Sequence, residues 1–226
     1  MLEWILIVDS GMGGKMVYSK IKKHFPSENY IVFIDKNYCP YGNKSRKQLK
    51  EHIINVFNYF FQHYRIKIVV LACNTLSSMF KDFIKTYFKN IVFLFYEPLI
   101  TNKILQNPTL VLATTNTIKY SKIIKKYKTN QNCYLVGFPS LAKMIDDNSK
   151  DIQEYLIAHL SNLKDINIKN IVLGCTHYEA IIPNLKLIFG DINFVEKTPL
   201  VIERLSKILL EHKVKGKTLF FDYIKE

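Results

Sequence analysis

Short apolar runs alternate with longer stretches whose apolar residues recur every three or four positions. Runs at residues 2–8, 30–35, 67–72 and 91–95 are of strand length and are built largely of Ile, Val, Leu and Phe. Runs this continuous suit strands buried on both faces, as in a parallel sheet covered by helices. Between them, Val17, Ile21 and Phe25 fall at helical spacing, as do Leu49, Ile53, Val56, Phe57, Phe60 and Tyr64, and then Met79, Phe83 and Phe88. Ser45 and Gln48 form a capping-box pair ahead of the second helix, whose aromatics read as core rather than as a cofactor box.

The alternation resumes after Glu97-Pro98. Strands are predicted at 109–113, 133–137, 170–174, 192–196 and 218–221. A basic helix follows Thr114-Thr115-Asn116-Thr117, an amphipathic helix covers 151–163, and another lies near 201–210. His159 falls on or beside the apolar face of the 151–163 helix and needs no ligand role. The pattern predicts an α/β protein of two similar domains, with mainly parallel sheets flanked by helices and the active site in the cleft between them. The boundary falls near Glu97, as a hinge between packed units.

Two strands end alike. Val69-Val70-Leu71-Ala72 runs into Cys73-Asn74-Thr75, and Ile171-Val172-Leu173-Gly174 into Cys175-Thr176-His177. A cysteine between a strand end and a helix start meets unsatisfied N–H groups, which lower a thiol pKa, and Thr75 is a plausible N-cap. His177 adds an imidazole two residues beyond the second thiol. One such thiol would suggest a nucleophile. Two from related halves suggest an acid and a base on opposite faces of one carbon. Competing readings are inert buried cysteines, a zinc site from Cys73, Cys175 and His177 without the usual ligand spacing, and a regulatory disulfide. Cys39 and Cys133 read as spectators. Asp9-Ser10-Gly11-Met12-Gly13-Gly14 follows the first strand, but its spacing is not the dinucleotide fingerprint and Asp9 would repel a pyrophosphate. A tight turn, or one that lays N–H groups against a carboxylate while Asp9 serves proton chemistry, fits better.

Composition changes little. The net charge of +13 could serve an anionic partner, but the lysines are dispersed, with short clusters at 20–23 and 122–126 and no aromatic platform beside them. That argues for solvated helix faces and against a nucleic-acid partner. Four cysteines without close pairs suit reduced thiols in a cytoplasm. No apolar run reaches the ~18 residues of a membrane span, and the N-terminus reads as a strand rather than a signal peptide.

Five motifs stand in order: the Asp9–Gly14 turn, Pro40-Tyr41-Gly42-Asn43-Lys44-Ser45, Ala72-Cys73-Asn74-Thr75, Glu97-Pro98, and Leu173-Gly174-Cys175-Thr176-His177-Tyr178. Together they resemble the glutamate racemases, of the cofactor-independent aspartate/glutamate racemase superfamily. The resemblance implies racemisation of L- and D-glutamate by two bases, without pyridoxal phosphate, other cofactor or metal. It casts Cys73 as the base toward D-glutamate and Cys175 as the acid on the other face, with the roles reversed for L-glutamate. Asp9 and His177 match the groups beside the two thiols, and Asp146 matches a catalytic glutamate one methylene longer. Ser10, Pro40, Tyr41, Gly42, Asn74, Thr75 and Thr176, with Asp9 and His177, match substrate-binding positions, and Thr114 and Thr117 a threonine-rich turn. The first domain is then residues 1–96 plus 200–226 and the second 97–199. The implied setting is D-glutamate supply for peptidoglycan, with a homodimer among the allowed states.

The chain departs from the family pattern at Tyr38 (usually arginine), at Phe138 before Pro139 (often Cys or Ser), and at Glu196-Lys197, where the family has Asp-Ser. An aspartate or broad-range racemase is the alternative within the class. A binding or gyrase-inhibitory protein on a racemase scaffold is the alternative outside it.

Overall fold

The computed structural model describes residues 2–39, 41, 44–209 and 216–224. The first half runs β1 (Glu3–Asp9), α1 (Gly13–His24), β2 (Asn29–Ile34), α2 (Arg46–His63), β3 (Arg65–Leu71), α3 (Asn74–Tyr87) and β4 (Val92–Phe95). These strands pair in parallel in the order β4-β3-β1-β2, and β9 (Thr218–Phe221) adds a fifth beside β2. The second half runs β5 (Thr109–Thr114), α4 (Thr115–Tyr120), α5 (Lys122–Tyr127), β6 (Cys133–Phe138), α6 (Leu141–Asp146), α7 (Ile152–Leu160), β7 (Asn170–Gly174), α8 (Ile182–Phe189) and β8 (Asn193–Val195). Its parallel sheet has the order β6-β5-β7-β8. Reading β5 to β8 for β1 to β4 turns one order into the other. In each half the first strand is internal and the third, β3 or β7, leads to a cysteine.

The apolar runs explain the layering. From Trp4 to Asp9, every residue of β1 is buried, which requires cover on both faces. One cover is α2, started by the Ser45–Gln48 capping box and burying Leu49, Ile53, Val56, Phe57 and Phe60. Burying a side chain of that size contributes about 1.5–3 kcal/mol. The other face packs on Val17 and Ile21 of α1 and on Val201 and Leu205 of α9 (Thr198–Ile208). The second sheet buries Leu110, Leu112 and Ile171 against Leu156, Leu160 and Leu185.

Three local features differ from the sequence pattern. The basic helix after Thr114 is two short helices, broken at an extended Ser121 whose side chain accepts the Ile124 N–H and caps α5. The 151–163 helix is α-helical only to Leu160 and closes in a 3₁₀ turn. The pattern pointed to neither α6 nor α8, which are 6 and 8 residues long, too short for a helical period to stand out. No described helix is long and apolar enough to cross a membrane.

Candidate active site

The C-terminal ends of β1, β3, β5, β6 and β7 meet around a small chamber of about 20 Å³ between the two sheets. Asp9 and Ser10 reach it from β1, Cys73, Asn74 and Thr75 from the β3–α3 junction, Thr114 from β5, and Cys175, Thr176 and His177 from the end of β7. The two strand-end cysteines therefore line one space. All four cysteines are free thiols, so no disulfide joins them.

On the first side, Cys73 is itself the N-cap residue of α3, and Thr75 lies inside the helix. The expected Thr75 cap is corrected on that point: its hydroxyl turns instead to Thr114 Oγ1 at 2.9 Å and Thr117 Oγ1 at 3.3 Å. Thr114 in turn caps α4, accepting the Thr117 N–H at 3.2 Å. These three hydroxyls form a buried cluster that ties the start of α3 to the second half. The Cys73 sulfur stands 3.9 Å from Ser10 Oγ. Burial, and next the Asp9 carboxylate, hold its pKa well above the ordinary thiol value, although the Leu76 N–H at the helix start and the Ser10 hydroxyl act the other way. The lowered pKa expected from the helix end is thus overridden by desolvation.

Asp9 is fully buried. It accepts the Ser10 N–H at 2.7 Å and, across the cleft, the Thr176 hydroxyl at 2.8 Å. Burial raises its pKa despite the opposing His177 charge and these hydrogen bonds.

On the second side, a 3₁₀ turn at Thr176–Ile181 carries His177 back over its neighbour, with Nδ1 3.6 Å from the Cys175 sulfur. His177 Nε2 lies 3.0 Å from Asp146 Oδ2. Burial pulls the His177 pKa down, but Cys175 and Asp146 outweigh it, and the imidazole is held well above its ordinary value. Burial pushes Asp146 up, yet the hydrogen bond from His177 and its charge leave that carboxyl lowered. Asp146 also meets the other half of the molecule: it accepts from the Met12 N–H at 3.4 Å and from the Cys39 thiol at 3.6 Å.

That contact corrects the reading of Cys39 as a spectator. Its side chain lines the chamber, and burial and then Asp146 push its pKa up to about 12. The signal was its place beside the Pro40-Tyr41 motif. Cys133, at the start of β6, is not among the lining residues.

The glycine turn is a surface of close approach. A methyl group at Gly13 would lie 2.3 Å from Thr176 Oγ1, and one at Gly11 would lie 2.3 Å from His177 Nε2. Only bare backbone lets the Asp9 turn pack on the Cys175-Thr176-His177 segment. This accounts for the glycines without a nucleotide.

Tyr41 is buried against the chamber, and its hydroxyl donates to the buried Asp35 carboxylate. His52 contacts the same carboxylate, and Tyr38 stacks on the His52 ring at 4.0 Å. At the arginine position of the family pattern, then, an aromatic ring props a histidine rather than presenting a charge. Asn116 of the second half holds this loop through the Tyr41 and Lys44 carbonyls, each at 3.3 Å. Pro40 and Gly42 lie outside the described residues. Phe138 and Pro139 also line the chamber, as does Lys143, to which the sequence pattern gave no role. Glu196 pairs with Lys20 at 2.7 Å, and Glu179 meets the same ammonium at 2.9 Å, linking α1 to the second half.

The Oδ1 of buried Asn74 finds no hydrogen-bond partner among the described residues. A buried acceptor of this kind favours a ligand that brings an N–H. Among the described residues, no group of three or more His, Cys, Asp or Glu side chains is placed to hold a metal ion.

No family model matches the chain. A glutamate racemase of Buchnera aphidicola (subsp. Schizaphis graminum) is 30% identical, over 95% of this chain and 88% of its own length. One from Clostridium botulinum (strain Alaska E43) is 31% identical, over 83% of this chain and 76% of its own. Among solved structures, glutamate racemase from Francisella tularensis in complex with D-glutamate superposes with a TM-score of 0.81 at 25% identity, covering 96% of this chain and 87% of that one.

Proposed function

The chain belongs to the glutamate racemase family, and we propose that it interconverts L- and D-glutamate by passing the α-proton between Cys73 and Cys175, without pyridoxal phosphate. The observation that carries the reading is the sharing of one buried chamber by two thiols, one from each sheet.

The α-proton is weakly acidic, so the base that removes it must be strong and the carbanion must be supported. A thiol held far above its ordinary pKa, as Cys73 is, is a strong base once deprotonated. With D-glutamate bound, the Cys73 thiolate takes the α-proton, breaking the Cα–H bond and forming S–H. Cys175 delivers its own proton to the opposite face, leaving Cys175 as the thiolate. For L-glutamate the same steps run backward. Asp9 and the Asn74 Oδ1 acceptor suit the substrate ammonium. Ser10, Thr75 and Thr176, with the loop around Tyr41, suit its carboxylates. The Thr114 and Thr117 hydroxyls steady Thr75. His177, kept protonated against Asp146, can donate toward Cys175 and hold the charge that forms there.

The test is racemisation in deuterated water, followed by optical rotation and by the isotope at Cα. Deuterium should appear at Cα of the inverted isomer from either starting enantiomer. Inversion without deuterium would remove proton transfer from the mechanism, and no inversion of glutamate would remove the racemase reading. Aspartate run in parallel measures substrate range.

A further inference from the structure

The chamber between the thiols, about 20 Å³, has room for about one water molecule. Glutamate cannot occupy it as it stands. Directly outside lies a second cavity of about 370 Å³, within the range of small-molecule sites. Ser10, Cys39 and Lys143 line both spaces, so the larger one is the vestibule of the smaller. It spans both halves: Lys15 comes from α1, Lys36 from the turn after β2, and Lys143 from α6.

The charges of this vestibule are open to exchange. Asp146 is engaged with His177. Lys143 pairs with Asp147 at 2.5 Å and Lys36 with Asp222 at 2.7 Å, all four side chains being well exposed. Exposed pairs of this sort are weak, and either lysine can trade its aspartate for another carboxylate. Lys15, also exposed, has no ion-pair partner among the described residues. Three ammonium groups thus ring the passage to a chamber that must open before it can be filled.

We propose that the vestibule is a capture subsite for a dicarboxylic amino acid, where Lys15, Lys36 and Lys143 hold the substrate's carboxylates until the two halves part. The subsite rests on the racemase reading given above. It deepens that reading by separating where the substrate is first held from where its proton is moved.

Capture by charge at an exposed rim depends on ionic strength. The screening length is ~30 Å at 0.01 M salt and ~3 Å at 1 M. The test compares the wild type with the Lys15→Gln/Lys36→Gln double variant and with Lys143→Gln in glutamate racemisation at both salt concentrations. At low salt the KM of the double variant should rise about tenfold with kcat retained, and Lys143→Gln should raise KM as well. At high salt, variants and wild type should converge. Lys15→Arg/Lys36→Arg, at positions that line the vestibule but not the chamber, should behave as wild type, which separates charge from damage to the fold. An active wild type whose variants keep its KM and its salt dependence overturns the capture subsite and leaves the racemase reading standing. So does a rise in KM of equal size at both salts. A wild type that does not racemise glutamate removes the racemase reading and the subsite with it.

Discussion

The two cysteines end the third strand of sheets that share one strand order, yet their neighbours differ in sign. Cys73 faces a buried carboxylate, Asp9, and a hydroxyl. Cys175 faces an imidazole whose pKa is raised and which is backed by a second carboxylate. A negative neighbour keeps a proton on its thiol, whereas a positive one can give a proton up. Matching backbones thus carry unlike environments, a difference that the strand ends alone do not reveal: burial and Asp9 raise the Cys73 pKa, while a protonated imidazole stands beside Cys175.

The sharpest break in this comparison is removal of either sulfur. Cys73→Ala and Cys175→Ala should each lower racemisation by roughly 10²–10⁴-fold, read by optical rotation from both enantiomers. Near-normal turnover in either variant would mean that the two strand ends do not work as a pair.

Next in size are the neighbours. His177→Asn should cost about 100-fold and flatten the alkaline limb of the pH–rate profile, because the group that stays protonated beside Cys175 is gone. An unaltered profile would count against its role there.

Stability gives a third contrast, of opposite sign on the two sides. The raised His177 pKa contributes stability that is complete below about pH 6.5, the unfolded value, and is lost as pH rises through the folded one. The lowered Asp146 pKa contributes above about pH 3.9 and is lost as pH falls through its folded value. The melting-temperature deficit of His177→Asn should therefore be greatest between about pH 4 and 6.5. Asp9 has a raised pKa, so its charged form costs stability as pH climbs above about 3.9. Asp9→Asn should gain on the wild type over that climb while losing activity. Parallel pH curves for wild type and Asp9→Asn would refute the raised carboxyl.

Gly13→Ala probes the approach of the halves rather than either thiol. Its methyl group would press on Thr176, and overpacking of this kind costs about 1–3 kcal/mol, measurable by denaturant unfolding. The smallest effect belongs to Lys20→Ala, which removes a partly exposed double ion pair and should stay within about 1 kcal/mol.

Much of this was legible in the sequence because the strands are continuous apolar runs and the candidate site residues sit where those runs stop. Cys73, Cys175, Asp9 and His177 are each announced by a strand end. Cys39 was not, because it lies in a loop after β2 and gains its meaning from Asp146, 107 positions away. Thr75 departs from the expected N-cap because capping signals are local, while its hydroxyl is claimed by threonines of the other half. The bridge from Lys20 to Glu179 and Glu196 was hidden for the same reason. The short helices α6 and α8 leave no periodic trace, so the sequence carries no signal for Lys143 of α6 beside the chamber.

The repeated strand order has a consequence for handedness. Most sites meet a stereocentre with walls of unlike construction, and so prefer one mirror form. Here the chamber is flanked by two versions of the same scaffold, each placing a sulfur just past its third strand. If the proposed proton transfer holds, near-indifference to left and right follows from the backbone, and what bias remains between the enantiomers is left to the few side chains in which the halves disagree.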